Sequence, residues 1–572
     1  MFAEKLENIK NVNSQNLTKN IKLGFLIAGI ITLVLVCVAK FSWFAKKSPV
    51  SLVVRNSQPT AAIFVPKSSP AMVSLLVNPD GLQKIAPKGE FSQLKNRLLA
   101  KSNIDYSSDI KPWLGNEITL AATTIDIDRD PDNGLQTGYL MALASTTPEK
   151  SREFLELLFS QRAFSGTNLG IEHYKGVKVI YDHAEYAPDV NSQNPKSKIQ
   201  NNLAGAVVNN FVLLANHPQV IKEAINNLQA PDLNLISSLE YQKATQQISK
   251  NAVAVTFLNL PEVGKWQGLE LAESTYNSQI LSFVFNSQGL LTESTFLTNS
   301  QIVPSSSPLS QPVGALQYIP ESTAFAIAGT NLSKLDNSDV AKLWKQGTAT
   351  IYGSSEDGTA RLLQPLAKIQ HNWNLNFSED IFNWVTGEYA LALLPNSENT
   401  TPHWLFISEK NPELTAGITH LNNIATRSGF NLSSLTLDQQ KISAWTKITA
   451  TSENNKSINV DTRFNGVHTT LDNYEIFSSD LKTLKTILSH KQKSLLENPQ
   501  FQNSIATIPR PNQGYIYLDW ENSQNLLKPQ LPLLKLAEVL GRPLFDHLKS
   551  LTVSSYSSEP GTLKSGVFLQ LH

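Results

Sequence analysis

The stretch "WLGNEITLA" runs from Trp113 to Ala121, and "WVTGEYALA" runs from Trp384 to Ala392, about 270 residues later. Each sets a tryptophan, a glycine and a glutamate ahead of an apolar-rich run, which reads as a strand entering a sheet. Other phrases recur in the same order. "FVPKSS" (Phe64 to Ser69) matches "YIPEST" (Tyr318 to Thr323), and "NNFVLLANHPQVIKEAI" from Asn209 matches "DNYEIFSSDLKTLKTIL" from Asp472. "TFLNL" from Thr256 is echoed by "IYLDW" from Ile516, and "GLLTESTFL" from Gly289 by "GTLKSGVFL" from Gly561. Ordered self-similarity of this kind is the mark of an internal duplication. Two homologous halves follow, residues 61–300 and 313–572, joined by a Ser/Pro-rich linker at 301–312.

Within the first half, strand-patterned runs alternate with amphipathic helical ones. "EITLAATTIDI" and "GYLMALAS" flank a turn-rich tip and read as a hairpin. "TPEKSREFLELLFSQ" reads as a helix with Thr147 as N-cap, Pro148 at the first helical position, and Phe154, Leu155, Leu157 and Leu158 facing inward. "KGVKVIYD" and "LAGAVVNNFVLLAN" read as strands, the latter turning at Asn209 and Asn210. "HPQVIKEAINNL" reads as a second helix, with Val220, Ile221, Ala224, Ile225 and Leu228 on one face. The middle order, strand–helix–strand–strand–helix–strand, is ferredoxin-like. The expected class is α+β, with antiparallel sheets and helices in two tandem repeats.

Residues Leu23 to Ala39, "LGFLIAGIITLVLVCVA", carry no charge. Extended through Phe44, the stretch measures about 33 Å as a helix and matches a hydrocarbon core of roughly 30 Å. The expectation is a transmembrane helix at 23–44, after an N-terminal arm at 1–22 and before a tether at 45–60. A signal cleavage after Ala45 is disfavoured by Trp43, and lipidation of Cys37 by the bulky Val36. Basic residues tie across the segment, so charge does not orient it. The large polar body favours a cytoplasmic N-terminus, with the body in the periplasm or thylakoid lumen.

The 572 residues carry 48 basic and 48 acidic side chains, so no overall field draws the chain to nucleic acid. The single cysteine, Cys37, rules out an intrachain disulfide and a thiolate zinc site. None of the ten histidines forms an HxH or HExxH pair, and no phosphate loop, dinucleotide fingerprint or nucleophile elbow occurs. No cofactor is implied. Asp126, Asp128, Asp130 and Asp132 alternate in "DIDRDPDNG", where a strand would set them on one face as hard oxygen ligands for a metal such as Ca²⁺. The same residues form a solvated hairpin tip, since Asp-Pro and Asn-Gly are turn formers and the second half has "LPNSENTTP" instead. Glu117 and Glu388 stand at matching places, where a strand glutamate beside a turn is structural before it is catalytic. Trp113 and Trp384 read as core anchors.

The Pro66–Ser69 segment with "SLLVNPDGL" after it, the "WLGNEITLA" phrase and "DIDRDPDNGLQTGYLMALA" resemble a cyanobacterial family of membrane-anchored proteins labelled domain of unknown function 3352. The resemblance implies a single-pass membrane protein and assigns no site residues. The leading functional expectation is a non-enzymatic binding or scaffold protein, with a protein partner at the membrane. Alternatives are a carrier for an apolar ligand, lipid or pigment, and a hydrolase with a dispersed site.

Overall fold

The computed structural model describes residues 58–78, 80, 104–130, 134–183, 203–267, 276–298, 308–338, 342, 371, 375–396, 402–437, 439–453, 457–489, 493–527, 547–556 and 559–571. The expected transmembrane segment at 23–44, the arm before it, most of the tether and linker, and Asp132 lie outside these residues. Among the described residues no helix is long and apolar enough to cross a membrane.

The chain divides into two compact units at Ile302/Val303. The first holds β1 (Ala71–Leu75), β2 (Leu114–Thr124), β3 (Gly138–Ser145), β4 (Leu169–Tyr174), β5 (Val177–Asp182), β6 (Ala204–Val208), β7 (Phe211–Ala215), β8 (Ala254–Asn259), β9 (Ser278–Phe285) and β10 (Gly289–Leu297). Its helices are α1 (Pro148–Phe164), α2 (Pro218–Gln229), α3 (Leu239–Thr245) and α4 (Leu260–Gln267). The strands pair in the order β4-β5-β6-β7-β3-β2-β1-β8-β9-β10, every pair antiparallel.

The second unit holds β11 (Phe325–Thr330), β12 (Glu388–Leu394), β13 (His403–Glu409), β14 (Asn431–Leu437), β15 (Gln440–Glu453), β16 (Ser457–Leu471), β17 (Tyr474–Ser478), β18 (Tyr515–Asp519), β19 (Ser550–Ser555) and β20 (Thr562–Gln570). With them come α5 (Leu414–Arg427), α6 (Leu481–Leu488), α7 (Pro499–Thr507) and α8 (Trp520–Leu527). Its order, β14-β15-β16-β17-β13-β12-β11-β18-β19-β20, repeats the first strand for strand, again all antiparallel.

This corrects the expected α+β, ferredoxin-like class: each unit is a large antiparallel sheet to which helices are added. A ferredoxin-like sheet has four strands with both helices on one face. Here β1 and β2 stand between β3 and β8, and β4 and β5 extend the far edge. The helices also part company. Ala204, Ala206, Leu213 and Ala215 pack with Val220, Ile221, Ala224 and Ile225 of α2. Val212, and with it Val207 and Leu214, pack with Phe154, Leu155 and Phe159 of α1. Alternate residues of one strand point to opposite faces, so α1 and α2 cover opposite sides of the sheet. Strands β6 and β7, "AGAVV" and "FVLLA", have no polar face and need cover on both.

Helix α1 starts as read, at Thr147 and Pro148, though Thr147 makes no side-chain cap bond. Its buried residues are Ser151, Phe154, Leu155 and Phe159, while Leu157 is exposed. Asn209 takes positive φ, as does its counterpart Asp472 (both 50°), residue types that tolerate the left-handed region.

The echoed phrases carry matched anchors. Trp113 Nε1 donates to the Asp109 carbonyl (2.7 Å), and Trp384 Nε1 to the Asp380 carbonyl (2.9 Å). The carboxylates of the same two aspartates accept the Asp105 and Asn376 N–H groups (2.8 and 2.7 Å), closing one turn before each tryptophan. Glu117 accepts the N–H groups of Thr60 (2.9 Å) and Ala61 (2.8 Å), which open the 3₁₀ turn Ala61–Phe64. Glu388 accepts the Gly314 N–H (2.7 Å) at the matching turn Gly314–Tyr318, and the Tyr474 hydroxyl (2.7 Å).

Two predictions follow from these contacts. Glu117→Ala strands two N–H donors at a largely buried turn and lowers stability by about 2–4 kcal/mol, read from the urea midpoint; no change in midpoint refutes the clamp. At Gly417 in α5, a Cβ would lie 2.4 Å from Trp384 Cδ2. Gly417→Ala gains about 0.5–1 kcal/mol of helix propensity and loses about 1–3 kcal/mol to overpacking. The expected balance is net destabilisation in the same assay, and a stabilised variant would refute it.

Candidate functional site: a cleft in the first unit

A cleft of about 440 Å³ opens in the first unit, lined by Lys67, Ser237, Ser238, Leu239, Glu240, Phe257, Asn259, Pro261, Asn277 and Ser278. Four pieces of chain meet there: the turn after the 3₁₀ helix, the start of α3, the end of β8 running into α4, and the first residue of β9. Tyr241 and Phe257 meet edge to face (5.1 Å) and tie α3 to β8, in a core with Met72, Leu235, Ala244 and Ile280. Ser238 caps α3, accepting the Tyr241 N–H (3.3 Å), and its hydroxyl donates to Glu240 Oε2 (2.9 Å). Glu240 is therefore turned back along its own helix. Asn277 uses its carbonyl for the Leu260 N–H (3.1 Å), leaving the second lone pair of that oxygen for another donor. Ser278 is 1% exposed, and its hydroxyl has no hydrogen-bond partner among the described residues.

The second unit shows the same place filled. Asn498 caps α7 as Ser238 caps α3, and Phe501 meets Tyr517 edge to face (5.0 Å) as Tyr241 meets Phe257. Asn259 is paired with Ser278, and Asp519 with Ser550, so the two lattices are in register. At the position of Glu240 stands Gln500. Its Nε2 reaches Asp519 Oδ2 (3.1 Å), the Lys549 carbonyl (3.0 Å) and the Tyr517 hydroxyl (3.2 Å). Lys549 holds the Trp520 N–H (2.9 Å), as Asn277 holds that of Leu260. Burial pushes the Asp519 carboxyl above the usual carboxylate range, against the hydrogen bonds from the Asn522 N–H and Gln500. Ser550 meets Ser504 (2.9 Å) and donates to Gln570 (2.9 Å). In the first unit Ala244 stands where Ser504 would, and Ser278 loses that partner.

The residues singled out in the sequence sit elsewhere. Asp126 is buried, and its Oδ1 accepts the Gln136 N–H (3.1 Å) across the hairpin; Asp128 Oδ1 accepts the Asp130 N–H (3.1 Å). Burial raises the Asp126 pKa against that hydrogen bond, and Asp128 and Asp130 raise it further. Among the described residues no group of three or more His, Cys, Asp or Glu side chains converges as metal ligands. Glu117 and Glu388 are consumed as turn clamps, and Trp113 and Trp384 are buried anchors. Among the described residues one histidine–carboxylate pair is buried: His468 Nδ1 to Glu475 Oε1 (2.6 Å), with the Thr470 hydroxyl on Glu475 Oε2 (2.6 Å). That hydroxyl sits on the carboxylate, not on His468 Nε2, where a nucleophile activated by histidine would lie.

No curated protein matches this chain. Among solved structures, two crystal forms of TP0453 are similar to it. Form I is 9% identical, covers 43% of this chain and 81% of its own, and has a TM-score of 0.24. Form IV is 8% identical, covers 42% and 81%, and has a TM-score of 0.22. A family model matches residues 26–571, and the chain belongs to the family described as Protein of unknown function (DUF3352).

Proposed function

We propose that this chain is a non-enzymatic binding protein in which the first unit carries the ligand cleft and the second is its closed copy. The observation that carries the reading is Gln500, which supplies from within the chain a donor to Asp519 and the Lys549 carbonyl, the positions that Asn259 and the Asn277 carbonyl hold open in the first unit. A polar lining with a lysine, a glutamate and two asparagines suits a small polar ligand better than a lipid or pigment. We further propose a membrane location, with the body outside the cytoplasm, on the strength of the uncharged run Leu23–Ala39 alone.

A protein partner is the second reading, favoured by Leu233, Ile236 and Leu239, which are 53%, 39% and 68% exposed around the start of α3. A photo-crosslinking residue at Leu239, used in native membranes, tests it, and absence of any adduct counts against it.

The cleft is tested by transplanting the closed lining into it. The full chain, and the variant Glu240→Gln/Phe257→Tyr/Asn259→Asp, are each equilibrated with a small-molecule cell extract, gel-filtered and read by mass spectrometry. The expected result is a molecule that co-elutes with the natural chain and is lost from the variant. Identical profiles overturn the reading. Protease accessibility of the body in intact spheroplasts tests the location, and protection until lysis supports a body inside the cell.

A further inference from the structure

We infer that the cleft of the first unit takes a free α-amino acid, its ammonium group on Glu240, Asn259 and the Asn277 carbonyl and its carboxylate on Lys67. The inference rests on the reading of the cleft as a ligand site and adds the class of ligand.

Three observations carry it. Lys67 and Glu240 line the same cleft, yet neither makes an ion pair among the described residues. Lys67 shares its carbonyl with Asn259 Nδ2 (3.4 Å), and Glu240 holds only the Ser238 hydroxyl. Opposite charges that face one space without meeting are satisfied together by a molecule carrying both signs. A dicarboxylate would meet Glu240 as a like charge, and a diamine would meet Lys67 in the same way.

The second unit identifies which end goes where. Gln500 Nε2 is an N–H donor seated on Asp519 and the Lys549 carbonyl, and the first unit presents Asn259 and the Asn277 carbonyl at those two positions. An ammonium group offers three donors in place of the amide's two, and Glu240 supplies the countercharge that Gln500 lacks. The third observation is Ser278. It lines the cleft, and its hydroxyl is buried without a partner among the described residues, so the fold leaves a polar group unsatisfied in the cleft wall. Leu239 and Pro261 at the rim leave room for a side chain, since about 440 Å³ exceeds what one amino acid fills.

Isothermal titration of the full chain tests the inference with L-glutamine and L-leucine, against succinate, putrescine and glucose. Both amino acids are expected to bind at one site and the three controls to give no heat. Lys67→Met and Glu240→Ala, which alter side chains outside the core, should each weaken binding about ten- to a hundredfold. Binding of succinate, putrescine or glucose in place of the amino acids overturns the ligand class and leaves the cleft standing. Absence of amino-acid binding also overturns the class, and the extract experiment then decides the cleft separately. Amino-acid binding unchanged in both variants places the ligand elsewhere and overturns the assignment.

Discussion

Strands β6 and β7 carry apolar side chains toward both faces, and a sheet with two greasy sides stays in water only if each side is covered. That requirement decides the layering of the first unit. Helix α1 covers one face through Phe154, Leu155 and Phe159, and α2 covers the other through Val220, Ile221, Ala224 and Ile225. Gly205 shows how closely α1 approaches: a Cβ there would lie 2.7 Å from Leu155 Cδ1. Burying one such leucine or phenylalanine is worth roughly 1.5–3 kcal/mol, so the pairing of helix to face outweighs any local preference of the loops. The turn Ala61–Phe64 and α3 then pack with β1 and β8 through Ala62, Val65, Met72, Tyr241 and Phe257. The cleft lies at the rim of this last contact, where the polar ends of strands and helices emerge from the core.

Because the unit occurs twice, the chain carries its own control. The parts that hold the fold agree between copies: a tryptophan N–H on a carbonyl four residues back, a glutamate on the first N–H groups of a 3₁₀ turn, an aromatic pair between β8 and α3 or between β18 and α7. Among the parts that differ, four exchanges are gathered at one place. Glu240 replaces Gln500, Phe257 replaces Tyr517, Asn259 replaces Asp519 and Ala244 replaces Ser504. Each exchange removes a hydrogen bond that closes the second unit. Contrast between copies separates side chains the scaffold needs from side chains it does not, a distinction that burial alone does not make.

Much of this was legible in the sequence and some was not. The tryptophan and glutamate phrases recur because each performs one local task that few other residues can, so the repeat showed through. Helix α1 announced itself by Pro148 at its first turn, and both α1 and α2 by apolar spacing. Layering did not show, because the element order of a two-layer ferredoxin-like fold is also a substring of this one. The sign that could have separated them was the absence of polar alternation in "AGAVV" and "FVLLA". Leu157 misled for a related reason: α1 is apolar on more than one side, and only tertiary contact selects Phe159 over Leu157. The cleft was invisible because it is made of unmade bonds. No motif encodes a glutamate that turns back to its own cap at Ser238.

The lone hydroxyl of Ser278 bears most directly on function. A buried polar group without a partner costs roughly 1–3 kcal/mol, and the second copy shows how cheaply the fold avoids this, with one serine at position 504 and one glutamine at 570. The first copy forgoes that remedy and also leaves Lys67 and Glu240 apart. A scaffold selected for stability alone has no reason to leave a buried hydroxyl without a partner beside a lysine and a glutamate that do not meet. A scaffold that must admit a polar molecule does, because groups already paired with one another would have to be separated before the ligand could use them. On the reading proposed above, the cost of the open cleft and the affinity for its ligand are two aspects of the same arrangement.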